Sequence, residues 1–469
     1  MASQADPSIT VLPISIDDGV PLPQRYWAVL AIALGLTLAV LDGAIANVAL
    51  PTIARDVNAS PSASIWVVNA YQLAVTISLL PLASLGDIVG HRRVYQVGLI
   101  VFTLASLNCA MSTSLTSLTI ARIIQGFGAA GIMSVNGALV RFIYPRRWLG
   151  RGVGLNATIG SIASAIGPTV AAGILSVATW PWLFAVNIPI GLIAIPIAYR
   201  ALPQTPTSGQ RFDVASALMN ALTFGLLITA VAGLGHGEGL GNVGAELFLA
   251  VGVGFVLVAR QMARSSPLLP IDLLRIPVFA LSVVTSVCSF VAQSMALVSL
   301  PFLLENTLGF NEVHTGLLMT PWPLTVAIVA PFAGRAADRY PVGILSGCGL
   351  GLLAVGLFTL GFLPSHPSAL DIAWRMTICG LGFGFFNTPN NRAIITSAPP
   401  TRSGGASGMQ ATARLLGQTL GAALVALVFG LFPVHGTNVA MLVAGFAAAG
   451  AAGVSFLRMQ AGGTPGRAG

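Results

Sequence analysis

Residues 27–49 read WAVLAIALGLTLAVLDGAIANVA, a run in which Asp42 is the only charged side chain. A helix needs about 20 apolar residues to cross the roughly 30 Å hydrocarbon layer of a bilayer, and this run has them. It is too long for a strand and too rich in Ala, Leu and Gly, and it lacks the alternation of a barrel wall. Working outward, comparable runs near 64–85, 94–112, 117–140, 153–178, 182–201, 213–235, 243–263, 277–304, 315–337, 341–363, 370–394, 405–432 and 436–458 bring the total to fourteen spans. The chain of 469 residues is 55% hydrophobic and only 8% charged, where a soluble domain carries about 25% charged residues. Its mean hydropathy is +0.86. An ordinary water-soluble enzyme is excluded, and the expected class is an all-α, polytopic membrane protein.

The net charge is +8, and all 22 basic residues are arginine. They stand singly or in pairs between apolar runs, which suits membrane orientation better than nucleic-acid binding. With the N-terminus in the cytoplasm, eighteen arginines fall inside, including Arg25, Arg92, Arg93, Arg211, Arg264, Arg402, Arg458 and Arg467. Arg55 alone falls outside, while Arg122, Arg375 and Arg414 lie within spans. Both termini are therefore expected inside. The first 24 residues, with Asp6, Asp17 and Asp18, read as a polar cytosolic tail and not as a signal peptide. Cys109, Cys288, Cys348 and Cys379 all sit in apolar stretches without metal-ligand spacing, so neither disulfide nor metal is expected. There is no phosphate loop and no Ser/His/Asp set, so neither direct ATP coupling nor catalysis is expected, and no cofactor is implied.

Laid on itself, the chain repeats. Asp87 and Gly90 fall on Asp338 and Pro341 at an offset of 251; Arg122, before Gly126, Gly128 and Gly131, falls on Arg375, before Gly380, Gly382 and Gly384, at 253. Gly154-Leu-Asn-Ala-Thr158 falls on Gly408-Met-Gln-Ala-Thr412, and Gly167 on Gly421, at 254. Two duplicated six-helix halves are expected at 25–204 and 277–460, with an inserted helix pair and linker at 205–276 and tails at 1–24 and 461–469. Duplicated halves around a central site are the architecture of alternating-access carriers.

Three stretches carry a family resemblance: Leu41-Asp42-Gly-Ala-Ile-Ala-Asn47-Val-Ala-Leu-Pro51, Trp66-Val-Val-Asn-Ala-Tyr71-Gln-Leu73, and Trp180-Pro-Trp-Leu-Phe-Ala-Val-Asn187-Ile-Pro-Ile-Gly191. They resemble the major facilitator superfamily, and within it the drug:proton antiporters with fourteen spans, although Pro181 stands where that group usually has Arg. The resemblance implies multidrug efflux: a proton-coupled antiporter exporting hydrophobic, cationic drugs or toxic compounds from the cytoplasm. It also implies a monomer in a bacterial cytoplasmic membrane, with small amphipathic molecules, protons and lipid as its only partners.

Asp42 is the only carboxylate well inside the first six spans. A charge at that depth is costly unless paired or solvated and is by default functional; the family implicates this position in proton coupling. The competing reading is an Asp permanently hydrogen-bonded to a neighbouring helix. Arg122 cannot deprotonate and must be paired or face water; it either senses Asp42 or anchors two helices. The loop from Ala83 to Arg93 resembles the family's cytoplasmic gate motif through Asp87, Gly90, Arg92 and Arg93, with Ala83, Ile88 and His91 departing from it. Asp338 and Arg339 supply a second copy. In span 5, Gly160, Gly167, Pro168 and Gly173 resemble the antiporter motif, with Ala171 and Ala172 in place of its last glycines.

For substrate contacts, Glu305 is a candidate for attracting cations, and Arg414 for meeting an anion. That leaves open an exporter of amphipathic organic acids or metabolites, and, in another class, a non-transporting membrane sensor on a carrier fold.

Overall fold

The computed structural model describes residues 19–208, 212–235, 239–262, 271–364, 366–399 and 403–462. Arg211, Arg264, Arg402, Arg467 and the acidic residues of the N-terminal tail lie outside them. Among the described residues fourteen helices are long and apolar enough to cross a membrane. Spans 1–6 are Gln24–Val48, Pro61–Val89, His91–Ala110, Leu115–Ile143, Arg151–Leu175 and Pro181–Ala201. Spans 7 and 8 are Val214–Leu234 and Gly241–Met262. Spans 9–14 are Pro277–Thr307, Glu312–Ala336, Val342–Gly361, Ala369–Ser397, Gly405–Leu431 and Gly436–Arg458. Each overlaps the run read from the sequence. An even number of crossings brings Gln24 and Arg458 to one face, here the proximal face; the other is the distal face.

The duplication is visible in how helices start and cross. Ser60 and Asn311 cap spans 2 and 10, and Ser114 and Ser368 cap spans 4 and 12, each side chain accepting a backbone N–H three residues on. Spans 3 and 4 touch backbone to backbone: a Cβ on Gly128 would lie 2.4 Å from the Phe102 nitrogen, and one on Gly98 would lie 2.8 Å from the Gly128 carbonyl. Spans 11 and 12 repeat this, with 2.4 Å from Gly382 to the Leu353 nitrogen and 2.7 Å from Gly349 to the Gly382 carbonyl. Small residues at a crossing let two membrane helices approach closely.

The apolar cores report how the halves meet. One continuous cluster fills the distal end and mixes both halves, from Leu41, Ile45 and Phe184 to Phe290, Met295, Phe302 and Trp322. At the proximal end there are two clusters. One, around Tyr95, Phe102 and Leu139, belongs to the first half apart from Leu415. The other, around Phe279, Ile394 and Met409, belongs to the second half. The halves therefore share one core distally and keep largely separate cores proximally, where span 13 still meets span 2.

Spans 7 and 8 are stapled to each other by an Asp213–Arg260 ion pair at 3.2 Å and a Thr229–Glu246 hydrogen bond at 3.1 Å. Span 7 packs against span 2 of the first half and span 13 of the second. Its anchor has a simple cause. Pro81 has no N–H to give the Ile77 carbonyl four residues back, and Asn220 Nδ2 of span 7 donates to that carbonyl instead, at 2.9 Å. Asn220→Leu is expected to cost about 1–3 kcal/mol in detergent unfolding, the price of an orphaned buried carbonyl. Adding Pro81→Ala restores the intrahelical donor and should recover most of that loss; a penalty unchanged in the double variant contradicts the assignment.

Candidate functional site: a sealed carboxylate–guanidinium pair and a distal latch

Asp42 is 1% exposed. Its Oδ2 accepts from Arg122 Nη1, and its Oδ1 accepts from Gln125 Nε2 at 2.9 Å and Asn187 Nδ2 at 2.7 Å. All three partners are donors, which suits the charged carboxylate. Arg122 and Gln125 are three residues apart on span 4 and so share a face, while Asn187 arrives from span 6. Arg122 is fixed in turn: Nε donates to the Val67 carbonyl at 2.9 Å, Nη1 also reaches Gln125 Oε1 at 2.6 Å, and Nη2 has no partner. Its guanidinium carbon lies 4.1 Å from the Tyr71 ring centroid and 5.4 Å from that of Phe184. Tyr71 is pinned by its hydroxyl, which donates to the Ala39 carbonyl at 2.8 Å.

The pair and its two amide donors tie spans 1, 4 and 6 together. The second half has no counterpart. Arg375 pairs with Asp371 on its own helix at 3.1 Å and donates to the Thr359 carbonyl at 2.5 Å, and span 9 carries no carboxylate at the depth of Asp42.

The span 5 residues divide. Gly167 abuts span 1 two residues past Asp42: a Cβ there would lie 2.4 Å from that of Ala44. Pro168 offers its carbonyl to Gly316 of span 10, where a Cβ would come within 2.6 Å, and the next residue, Thr169, shares a hydrogen bond with Thr320 at 2.8 Å. Gly160 meets only Leu36, at 3.8 Å, and Gly173 faces open space.

At the proximal face, Gly90 turns the chain at φ +99°, a conformation that favours glycine. Asp87 is exposed, and among the described residues its carboxylate pairs only with His91, at 3.2 Å; Arg92 donates to the Tyr199 carbonyl and Arg93 to that of Val89. Asp338 pairs not with exposed Arg339 but with Arg392 of span 12. Neither acidic residue bridges the halves here. Arg458, counted above among the arginines on the inner side, is buried, donating to Ser282 Oγ at 2.8 Å and Asn390 Oδ1 at 2.7 Å and tying spans 9, 12 and 14 together.

The distal face does carry a bridge. Arg55, just past span 1, reaches Glu305 at 2.8 Å and Glu312 at 3.2 Å, both in the second half, and Thr52 donates to Glu312 at 3.2 Å. Glu305 sits in a π-helical turn, Leu303–Thr307, after Pro301, and is 6% exposed. It is thus held in a latch and does not face open water. Sequence reasoning had left Gln125, Asn187, Thr52, Glu312 and Arg392 without roles. The signal for the latch is Arg55, the single outer arginine, with Glu305 and Glu312 among the acidic residues on its own side. The signal for Arg392 was the repeat, which maps Arg141 onto it at the offset relating Asp87 to Asp338, 251 residues.

Comparison with known proteins identifies the family and the fold. The uncharacterized transporter YebQ of Escherichia coli (strain K12) is 57% identical over 94% of this chain and 97% of its own. The multidrug resistance protein Stp of Mycobacterium tuberculosis (strain CDC 1551 / Oshkosh) is 32% identical over 86% of this chain and 76% of its own. The crystal structure of a D-xylose–proton symporter superposes with a TM-score of 0.66 at 15% identity, covering 92% of this chain and 97% of that one. The sequence model of the Major Facilitator Superfamily matches residues 32–422 and again 282–465. With fourteen spans, two equivalent halves and these relatives, the chain belongs to the major facilitator superfamily of membrane transporters.

Proposed function

We propose that this protein exports hydrophobic, drug-like molecules from the cytoplasm in exchange for protons, with Asp42 as the proton carrier. The observation that carries the reading is the enclosure of Asp42 with Arg122, a buried ion pair between spans 1 and 4. The multidrug-resistance name of a relative 32% identical to the chain supports the cargo class.

The arginine distribution supports both termini in the cytoplasm, which makes the proximal face cytoplasmic and the described state closed to the outside. In the proposed cycle cargo enters between the halves from the cytoplasm while Asp42 is ionised and Arg122 is neutralised by it. The halves, 25–204 and 277–460, rock about the inserted pair at 205–276, and the distal latch of Arg55, Glu305 and Glu312 releases. Spans 1 and 4 then part, Asp42 takes a proton from outside, and cargo leaves. The proton is delivered inward on return, each elementary charge gaining about 2.3 kcal/mol per 100 mV. Asp87, Gly90, Arg92 and Arg93, with Asp338 and Arg339, form the cytoplasmic gate of the outward-open state. Gly167 and Pro168 keep spans 1, 5 and 10 tight against leak, with Gly160 and Gly173 on the same helix. A single chain holds every element of the cycle, so it acts as a monomer.

Inverted membrane vesicles test the reading. Asp42→Asn is expected to insert normally yet lose gradient-driven transport of ethidium-like and acidic fluorescent drugs alike. Transport by that variant at the wild-type rate would remove Asp42 from the coupling.

A further inference from the structure

The acidic side chain Asp42 and the arginines Arg122, Arg375 and Arg414 lie within spans of the two halves. Asp42 and Arg122 neutralise each other, Arg375 pairs with Asp371, and Arg414 stands alone. It is half-buried on span 13, its Nε is shielded from solvent without a partner, and among the described residues no hydrogen bond or ion pair reaches it. Gln410 and Gln418, one turn to either side on the same face, are likewise half-buried.

The direction of this face follows from its neighbours. To one side of Arg414 on the helix lies Gly417, where a Cβ would come within 2.6 Å of the Val287 carbonyl of span 9; two turns along the helix from Arg414, Gly421 meets the Val291 carbonyl of the same span. To the other side lie Gly408, where a Cβ would come within 3.6 Å of Leu80, and Thr419, whose hydroxyl meets that of Thr76 at 3.1 Å; both neighbours are on span 2. Spans 2 and 9 belong to different halves, so Gln410, Arg414 and Gln418 project along the seam between the halves. No described carboxylate of the two halves answers it at that depth: Asp42 is enclosed by Arg122, Glu305 is held by Arg55, and Asp371 by Arg375.

A membrane protein keeps an unpaired charge at depth only where it serves a pathway or a ligand. A guanidinium is the side chain best shaped for a planar acid, which it grips through two parallel N–H bonds. We infer that the central site takes an amphipathic anion, an aryl carboxylate or sulfonate class of molecule, with the acid group on Arg414 and the flanking amides of Gln410 and Gln418 donating to it. The acidic cargo read as the alternative in the sequence thereby takes precedence over the cationic one. This assignment rests on the export reading for its direction, but its binding step needs no proton gradient.

Calorimetry on the purified full chain in detergent, with aryl carboxylic acids of graded size and their matched primary amides and amines, tests it. Wild type is expected to bind acids on the order of ten- to a hundredfold tighter than the amides. Arg414→Gln should lose that preference and Arg414→Lys should keep part of it. A thermal melt guards against misfolding: Arg414→Gln, relieved of an unpaired charge, should melt no lower than wild type, and acids should raise the midpoint of wild type only. Preference for amines, equal binding of acid and amide, no binding of any acid, or an acid affinity unmoved in Arg414→Gln would each overturn the assignment. These results are separable from failure of proton coupling, which the Asp42→Asn vesicle experiment reads independently.

Discussion

Arg122→Leu is expected to destabilise the protein by about 3–5 kcal/mol, because it leaves a carboxylate in a site without water and without its counter-ion. The remaining donors, Gln125 and Asn187, are amides and supply hydrogen bonds but no charge. Asp42→Asn strands Arg122 in the same way, with only Gln125, the Val67 carbonyl and two aromatic rings around it. The double variant Asp42→Asn/Arg122→Leu removes both charges and should recover much of the loss, so the two single effects are strongly non-additive. Unfolding of all four proteins in mixed micelles measures this directly. Simple addition of the single losses would mean that the two side chains do not form a pair in the working protein. Stability and transport should also part company: the double variant is expected to fold well and exchange nothing.

The second large effect concerns access. Arg55→Glu turns the distal latch into a cluster of three carboxylates, with Glu305 already buried beside it. Opposite charges that held the halves together become like charges that push them apart, and the equilibrium should move toward the distal-open state. Leu318 lies in the shared distal core near the contact between spans 5 and 10. In a background lacking the four native cysteines, Leu318→Cys should be labelled from the distal side by a membrane-impermeant maleimide on the order of tenfold faster when Arg55→Glu is present, about 1.4 kcal/mol of shift in a two-state equilibrium. Because Arg55 is half exposed, high salt should produce a weaker version of the same change in wild type. Labelling indifferent to both treatments would deny the latch a gating role.

The layout was legible because its causes are local. Twenty-residue apolar runs fix spans, and the capping residues Ser60, Ser114, Asn311 and Ser368 stand at repeat-related positions in the chain. Asp42 and Arg122 were conspicuous as charges out of place, and the structure brings them together. The partners were not legible. Nothing in the spacing of Asn187 and Asp42, 145 residues apart, says that they touch. The same holds for Arg55 and Glu305, whose meeting depends on how two rigid halves lean together. The gate loop shows the opposite limit. Its residues are recognisable in sequence, but Asp87 and Asp338 pair here with His91 and Arg392, each within its own half. The inserted pair had no sequence rationale; its attachment becomes clear only once Asn220 is seen completing the hydrogen bond that Pro81 removes.

The most direct test of the account is proton release. Purified protein in a lightly buffered detergent solution with a pH-sensitive dye, titrated with cargo, should release a proton per chain from the protonated fraction as binding draws the halves into the state where Asp42 pairs with Arg122. Asp42→Asn should bind cargo and release nothing. Equal proton release by wild type and Asp42→Asn would place the exchanging proton on another group and contradict the mechanism.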